Sequence, residues 1–226
     1  MVQCYQCSEF ALNFKAVVVT PLVLLRLGKF SFLVVEDTNP ATLGYFPFQT
    51  KLSAAWFQSV IARTAGFNSV DINAMHDAAL FLMIALMFIG ASPGSTGGGV
   101  KTTTISLLFI CTRTVLRGYD EVLIYRREIP PMRILKAISV VVGSGLTVVG
   151  VTIALALFNP GFNFLRLLFE AVSAFATVGL STGITAELSP PPQLVIIATM
   201  YVGRVGVLLF VVALGGDDSP SMVQYP

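Results

Sequence analysis

Two short segments share a Thr-x-Gly pattern whose chemistry suits the binding of a dehydrated cation. At one fixed offset along the chain the pattern superposes Thr64, Ala65, Gly66, Phe67 and Asn68 on Thr177, Val178, Gly179, Leu180 and Ser181. An ion filter replaces the hydration shell of a monovalent cation with backbone carbonyls, and glycine permits the positive φ that turns such carbonyls. The two segments therefore predict a pair of cation-binding turns, here named the first filter segment (64–68) and the second filter segment (177–181). The alternative is a pair of glycine turns between buried helices.

The composition indicates the environment in which these segments work. The 226 residues are 55% hydrophobic and only 12% charged, whereas about a quarter of an ordinary soluble domain is charged. The mean hydropathy is +0.81. We therefore expect an all-α integral membrane protein. No basic run indicates a nucleic-acid partner, and no Ser–His–Asp or paired-carboxylate pattern indicates an enzyme.

Each filter segment follows an apolar stretch too short to cross a bilayer and precedes a longer one, which predicts two tandem span–pore-helix–span (M1-P-M2) units. The first unit, residues 10–117, contains a span at 10–36, a pore helix at 50–63, the filter at 64–68 and a broken span at 76–117 with a loop at 91–101. The second unit, residues 134–214, contains a span at 134–158, a pore helix at 164–176, the filter at 177–181 and a span at 190–214. Tails are expected at 1–9 and 215–226.

The linker at 118–133 sets the orientation of both units. Short loops rich in Lys and Arg stay in the cytoplasm, and arginines are concentrated in and just before this linker. Because it joins the two units, both pore helices are expected to enter the membrane from the outside.

A glycine-rich loop interrupts the second span of the first unit. This glycine loop, residues 91–101, contains the candidate gate residues Gly94, Ser95, Thr96, Gly97, Gly98, Gly99 and Lys101. It is not a phosphate loop, because Val100 stands where that pattern needs glycine. Non-helical backbone at membrane depth is tolerated where it lines a cavity or is buried in protein, so we expect the loop to line the pore below the filter. The alternative is a kink without a gating role.

Arg204 is a charge inside the last apolar span. The repeat offset places Arg204 level with Ala91, where the glycine loop begins. A fixed positive charge under a cation filter is an electrostatic barrier, so Arg204 is a candidate partner of the gate. The alternative is a structural arginine, with Glu170 as a candidate counter-ion.

The remaining polar residues admit plainer interpretations. Arg26 and Lys29 interrupt the first span and either reach the membrane surface or face the pore. His76 is interpreted as a solvated helix cap. The CxxC formed by Cys4 and Cys7 has no second pair to complete a zinc site.

Taken together, these motifs resemble the Trk/Ktr/HKT superfamily of potassium transporters. The resemblance is to the C-terminal half, the third and fourth pore units, of a bacterial Ktr-type (KtrB-like) membrane subunit. It is carried by residues 57–71 (FQSVIARTAGFNSVD), 92–104 (SPGSTGGGVKTTT), 176–183 (ATVGLSTG) and 203–206 (GRVG).

The resemblance implies potassium uptake as the ion-translocating subunit of such a system, multi-pass in the plasma membrane. K⁺ would bind the filter carbonyls, the glycine loop would act as the intramembrane gate, and Na⁺ is a candidate coupling ion. No covalent cofactor is implied. The implied partners are the bilayer, a second copy in a homodimer and a cytosolic ring that binds nucleotides.

The number of pore units departs from the family pattern. Family members arrange four units around one pore, and this chain has two, so half of the filter must come from a missing N-terminal half or from a second chain. Two alternatives therefore stay open: a truncated, non-conducting membrane fragment of such a transporter, and a sodium-conducting homologue.

Overall fold

A computed structural model describes residues 2–63, 65–95, 97–118, 123–124, 127–128 and 130–206. The side chains of residues 2–16 and of the strand residues lie outside this description. Within it, the helices are α1 (Val2–Glu36), α2 (Phe48–Ile61), α3 (Asp77–Phe88), α4 (Thr102–Leu116), α5 (Pro131–Phe158), α6 (Phe164–Phe175) and α7 (Pro190–Val205), and two-residue strands form β1 (Leu123–Ile124) and β2 (Arg127–Glu128).

The fold is helical, as the composition predicts, apart from this one antiparallel pair in the linker. Two helical segments, Val17–Glu36 and Pro131–Phe158, have the length and apolar composition to cross a membrane. Helices α3 and α4 are apolar but shorter. Helices α2 and α6 have 14 and 12 residues, which is less than the roughly 20 residues that a helical crossing needs.

The internal repeat is visible in the backbone. Helix α3 begins at Asp77 and α7 at Pro190, which is the same offset that relates Gly66 to Gly179. A short 3₁₀ turn precedes each of these helices, at Ile72–Ala74 and at Ile184–Glu187. Helices α1, α2 and α3 pack together in the first unit, α5, α6 and α7 pack together in the second, and α3 against α6 joins the two.

Several boundaries differ from the predicted ones for local reasons. Helix α2 begins two residues before the predicted start, directly after Pro47, and α5 begins three residues early because Pro131 suits the first turn of a helix. The break between α3 and α4 starts at Ile89 rather than at residue 91. Thr64, Thr96 and residues 207–226 lie outside the described residues, as do the side chains of Cys4 and Cys7.

A buried carboxylate fixes the C-terminal end of α1. Glu36 is 1% exposed, and its carboxylate accepts hydrogen bonds from the Asn39 amide, the Thr42 hydroxyl and the backbone N–H of His76. His76 stands at the N-cap of α3, and its half-exposed ring lies 3.4 Å from Glu36. Glu36 therefore ties the end of α1 to the start of α3.

We expect Glu36→Ala to destabilise the fold far more than Asp37→Ala. Removing Glu36 leaves buried donors without an acceptor, which costs on the order of 3 kcal/mol. Asp37 forms an exposed ion pair with Lys51, and such pairs contribute about 0–1 kcal/mol. Thermal unfolding of both variants in detergent measures the difference, and equal losses would contradict the role given to Glu36.

Candidate functional site

The two filter segments adopt the glycine conformations that the repeat predicts. Gly66 has a φ of 67° and Gly179 a φ of 87°. Thr177 has a φ of 54°, which makes it the one non-glycine residue with a positive φ in the described part of the chain. Such a conformation is uncommon for threonine, so the surrounding contacts must hold this turn.

The segments also approach each other closely. A Cβ placed on Gly66 would lie 2.7 Å from the Val178 carbonyl oxygen, and one on Gly179 would lie 3.8 Å from the Gly66 Cα. The Val178 carbonyl therefore faces the first filter segment. Two turns that are 113 residues apart in sequence form one site.

The second filter segment is tied to helix α6 behind it. The Ser173 carbonyl accepts the Val178 N–H at 3.0 Å, and the Ser173 hydroxyl donates to the Leu180 carbonyl at 2.5 Å. Glu170 accepts hydrogen bonds from Ser181 and from residues after the filter. The Glu170 carboxylate therefore points to the filter side of α6, and the alternative pairing with Arg204 is not the arrangement seen.

The glycine loop lies directly against the second filter segment. The Gly98 N–H donates to the Thr177 hydroxyl at 2.8 Å. A Cβ on Gly98 would lie 2.9 Å from the Phe175 carbonyl oxygen and 3.0 Å from that of Gly203, while one on Gly203 would lie 1.8 Å from the Phe175 oxygen. The loop, the end of α6 and α7 thus meet at a point where there is no room for side chains.

Two basic residues accompany this contact. The Lys101 ammonium donates to the Gly97 carbonyl at 2.6 Å and so closes the loop on itself. Arg204, in the last turn of α7, repels Lys101 electrostatically. Both positive charges therefore belong to the same region as the glycine loop.

Other predicted site residues lie further from this contact. Gly94 and Ser95 are exposed, and Gly94 has nothing within 4 Å of its Cβ position. Phe67 and Asn68 are also exposed. The Lys29 ammonium lies 5.6 Å from the centre of the Trp56 ring on α2, and Arg26 is exposed on α1.

Sequence reasoning did not single out Ser173 or assign Glu170 to the filter. Both occupy buried positions on an apolar helix, and a buried polar residue on such a helix needs a hydrogen-bond partner. Ser173 stands seven residues before Leu180, and Glu170 stands eleven residues before Ser181. This spacing indicates a contact only once α6 is known to end at the filter segment.

Comparison with known proteins identifies the class. Residues 9–223 match the TrkH family, described as cation transport protein. The chain is 40% identical over 209 residues to the Ktr system potassium uptake protein B of Vibrio alginolyticus, covering 92% of this chain and 45% of that protein. It is 36% identical over 196 residues to the potassium/sodium uptake protein NtpJ of Enterococcus hirae, covering 84% of this chain and 43% of that protein.

The fold agrees with that class. The crystal structure of the potassium transporter TrkH from Vibrio parahaemolyticus superposes with a TM-score of 0.70 at 21% identity, covering 89% of this chain and 44% of that one. The two chains therefore share their fold over that part. The chain belongs to the TrkH cation transport family and spans about half the length of the curated relatives it matches.

We expect Gly66→Ala to destabilise the protein by at least about 2 kcal/mol, because an L-residue in this conformation costs roughly 1–2 kcal/mol and its Cβ would overlap the Val178 carbonyl. Gly150 provides the matched control, since it lies in α5 with nothing within 4 Å of its Cβ position. Gly150→Ala should be neutral or stabilising by about 0.5–1 kcal/mol. Thermal unfolding in detergent measures both, and a neutral Gly66→Ala would contradict the close approach.

Proposed function

We propose that this chain supplies part of the ion-translocating pore of a Ktr-type potassium uptake system. The observation that carries the proposal is the meeting of Gly66 and Gly179, both at positive φ, with the Val178 carbonyl between them. A monovalent cation that sheds water needs closely spaced carbonyl oxygens. Two facing turns supply part of such a set.

The carbonyls of Thr177, Val178 and Gly179 are the ion ligands that we assign to the second segment. The Leu180 carbonyl already accepts the Ser173 hydroxyl, which directs it back towards α6. Ala65 and Gly66 are the corresponding described residues of the first segment. The ion bound in this way is the transported substrate and not a resident cofactor.

Helices α2 and α6 favour a cation at the same place. Each ends directly before its filter segment, at Ile61 and Phe175. The carboxyl end of a helix carries partial negative charge, so both helix ends stabilise a cation between the two turns.

The glycine loop is proposed as the gate. The contact between Gly98 and Thr177 places the loop against the filter, and Lys101 and Arg204 add positive charge there. A cation leaving the filter would meet this charge, and a shift of the loop would remove the obstruction. The alternative, a kink without a gating role, predicts that the ion flux does not change when this positive charge is removed.

The complete pore requires more than this chain's two filter segments. Four segments close a filter ring in the family that the sequence resembles, so we propose that the remaining two come from further sequence or from a second chain. A homodimer, a cytosolic nucleotide-binding ring and a multi-pass plasma-membrane location complete the proposed assembly.

Potassium uptake is expected when this chain replaces the matched segment of the Vibrio alginolyticus protein. The chimera should restore growth of uptake-deficient bacterial cells at low potassium, and Gly179→Asp should abolish it, because a side chain at this positive φ distorts the filter turn and introduces a charge. Gly150→Ala is the control that should keep uptake.

Uptake of K⁺ and of Na⁺ is measured for the chimera and, separately, for this chain alone in liposomes. These measurements test the assignment of the second filter segment as an ion-binding site. Equal uptake by the Gly179→Asp chimera would contradict the filter. Uptake of Na⁺ in preference to K⁺ would contradict the proposed substrate.

Lys101→Met is expected to raise the K⁺ flux of the chimera. It removes both a positive charge and the hydrogen bond that closes the loop at Gly97. We expect a rise of about tenfold, equivalent to roughly 1.4 kcal/mol off the barrier. Lys51→Met removes the same charge from the exposed pair with Asp37 and should leave flux unchanged; if both variants behave alike, the loop is not a gate.

A further inference from the structure

We propose that Glu170 is a positioning residue for ion selectivity, which it sets by holding the outer end of the second filter segment against helix α6. This inference rests on the proposed function and deepens it. Glu170 does not touch the ion in this proposal. It acts through the backbone of the residues that follow the filter.

The carboxylate of Glu170 is buried and fully engaged. The residue is 5% exposed. Oε1 accepts from the Ser181 hydroxyl at 2.7 Å and from the N–H and hydroxyl of Thr182 at 2.8 and 3.0 Å, and Oε2 accepts from the Thr185 hydroxyl at 2.6 Å. The Thr182 N–H can only donate, and hydroxyls can donate as well, so all four contacts suit the acceptor oxygens of this side chain.

Hydrogen bonds to an ionised acceptor are shorter and stronger than neutral ones. In a buried site their loss is also costly, since the donors cannot turn to water. Four such bonds from one side chain therefore fix the segment from Ser181 to Thr185 with little freedom. Ser173 extends the attachment inwards by holding Leu180.

The first unit shows what happens without this carboxylate. The repeat offset places Phe57 at the position of Glu170. Within the described residues, the polar neighbour there, Gln58, accepts a 3.5 Å contact from Ser69, and its Nε2 has no partner. The residues after the first filter segment thus receive one weak side-chain contact from α2, where the last residue of the second and those after it receive four bonds from Glu170.

The exposure of matched filter residues follows this difference. Leu180 is 2% exposed, whereas Phe67, its counterpart in the repeat, is 67% exposed. Ser181 and Thr182 are drawn towards α6, and Leu180 is buried with them. A filter discriminates between cations through the carbonyls that replace the hydration shell, so a residue that fixes one filter segment in place should influence the choice between K⁺ and Na⁺.

The test uses the chimera described above, with the ratio of K⁺ to Na⁺ transport and the maximal K⁺ rate measured separately. Glu170→Gln keeps the shape of the side chain but replaces an acceptor with a donor. We expect it to lower the K⁺/Na⁺ ratio about tenfold, the scale of one charge-assisted hydrogen bond, with a smaller effect on the maximal rate. Glu187→Gln is the matched control, because Glu187 is exposed on the 3₁₀ turn that follows the filter.

Thr185→Val distinguishes the positioning role of Glu170 from a direct effect of its charge. It keeps the carboxylate and removes the bond to Oε2 together with the 3.2 Å contact between the Thr185 and Ser181 hydroxyls. Because the three bonds to Oε1 remain, we expect a smaller fall in the ratio with wild-type amounts of protein in the membrane. This variant also decides the matter if Glu170→Gln fails to accumulate. An unchanged ratio in Thr185→Val overturns the positioning role, as does a Glu170→Gln ratio equal to that of Glu187→Gln. A wild-type chimera without K⁺ uptake contradicts the proposed function instead.

Discussion

Backbone that leaves a helix at membrane depth must find hydrogen-bond partners inside the protein, and this constraint organises the whole chain. Lipid offers no substitute for water, so each unpaired N–H or C=O costs several kcal/mol. Both filter segments and the glycine loop leave a helix, and under the proposed membrane insertion they are such backbone. The Gly98 N–H of the loop has its acceptor in the side chain of a filter residue, the Thr177 hydroxyl. A movement of the loop away from the second filter segment would therefore take this acceptor from the Gly98 N–H.

The same constraint explains the concentration of glycine at the centre. Where the glycine loop, the end of α6 and α7 meet, backbone must contact backbone, and Gly98 and Gly203 leave the space that a Cβ would fill. This packing resembles the small-residue interfaces that let membrane helices approach closely. It gives the site a rigid wall on one side, while the exposed Gly94 and Ser95 end of the loop is free of such contacts.

The repeat and the helical elements could be predicted from sequence because their signals are local. The length of each apolar stretch distinguishes the predicted spans from the predicted pore helices. A Thr-x-Gly triplet marks each turn, so the sequence predicts the positive φ of Gly66 and Gly179. The partners of Glu170 could not be predicted, because the direction of a side chain depends on how α6 is rotated against its neighbours. Arg166, Glu170 and Ser173 recur at helical spacing on one face of α6, but that spacing does not say which turn or helix the face meets. The role of Glu36 could not be predicted for a similar reason, because its partners lie at the start of α3 and in the turn that follows α1.

The two units repeat in sequence, but the side chains that hold their filter segments differ, and this difference matters for function. The two units share their offset, the positive φ of Gly66 and Gly179 and the start of the helix that follows each turn, yet within the described residues only the second has a buried carboxylate behind its turn. If the two turns bind the ion as proposed, the filter is not symmetrical in stiffness, because side chains of α6 hold the residues after the second turn by four bonds and those of α2 hold the residues after the first by a weak contact. On this proposal the more firmly held segment sets the selectivity, and the more weakly held segment adjusts during permeation.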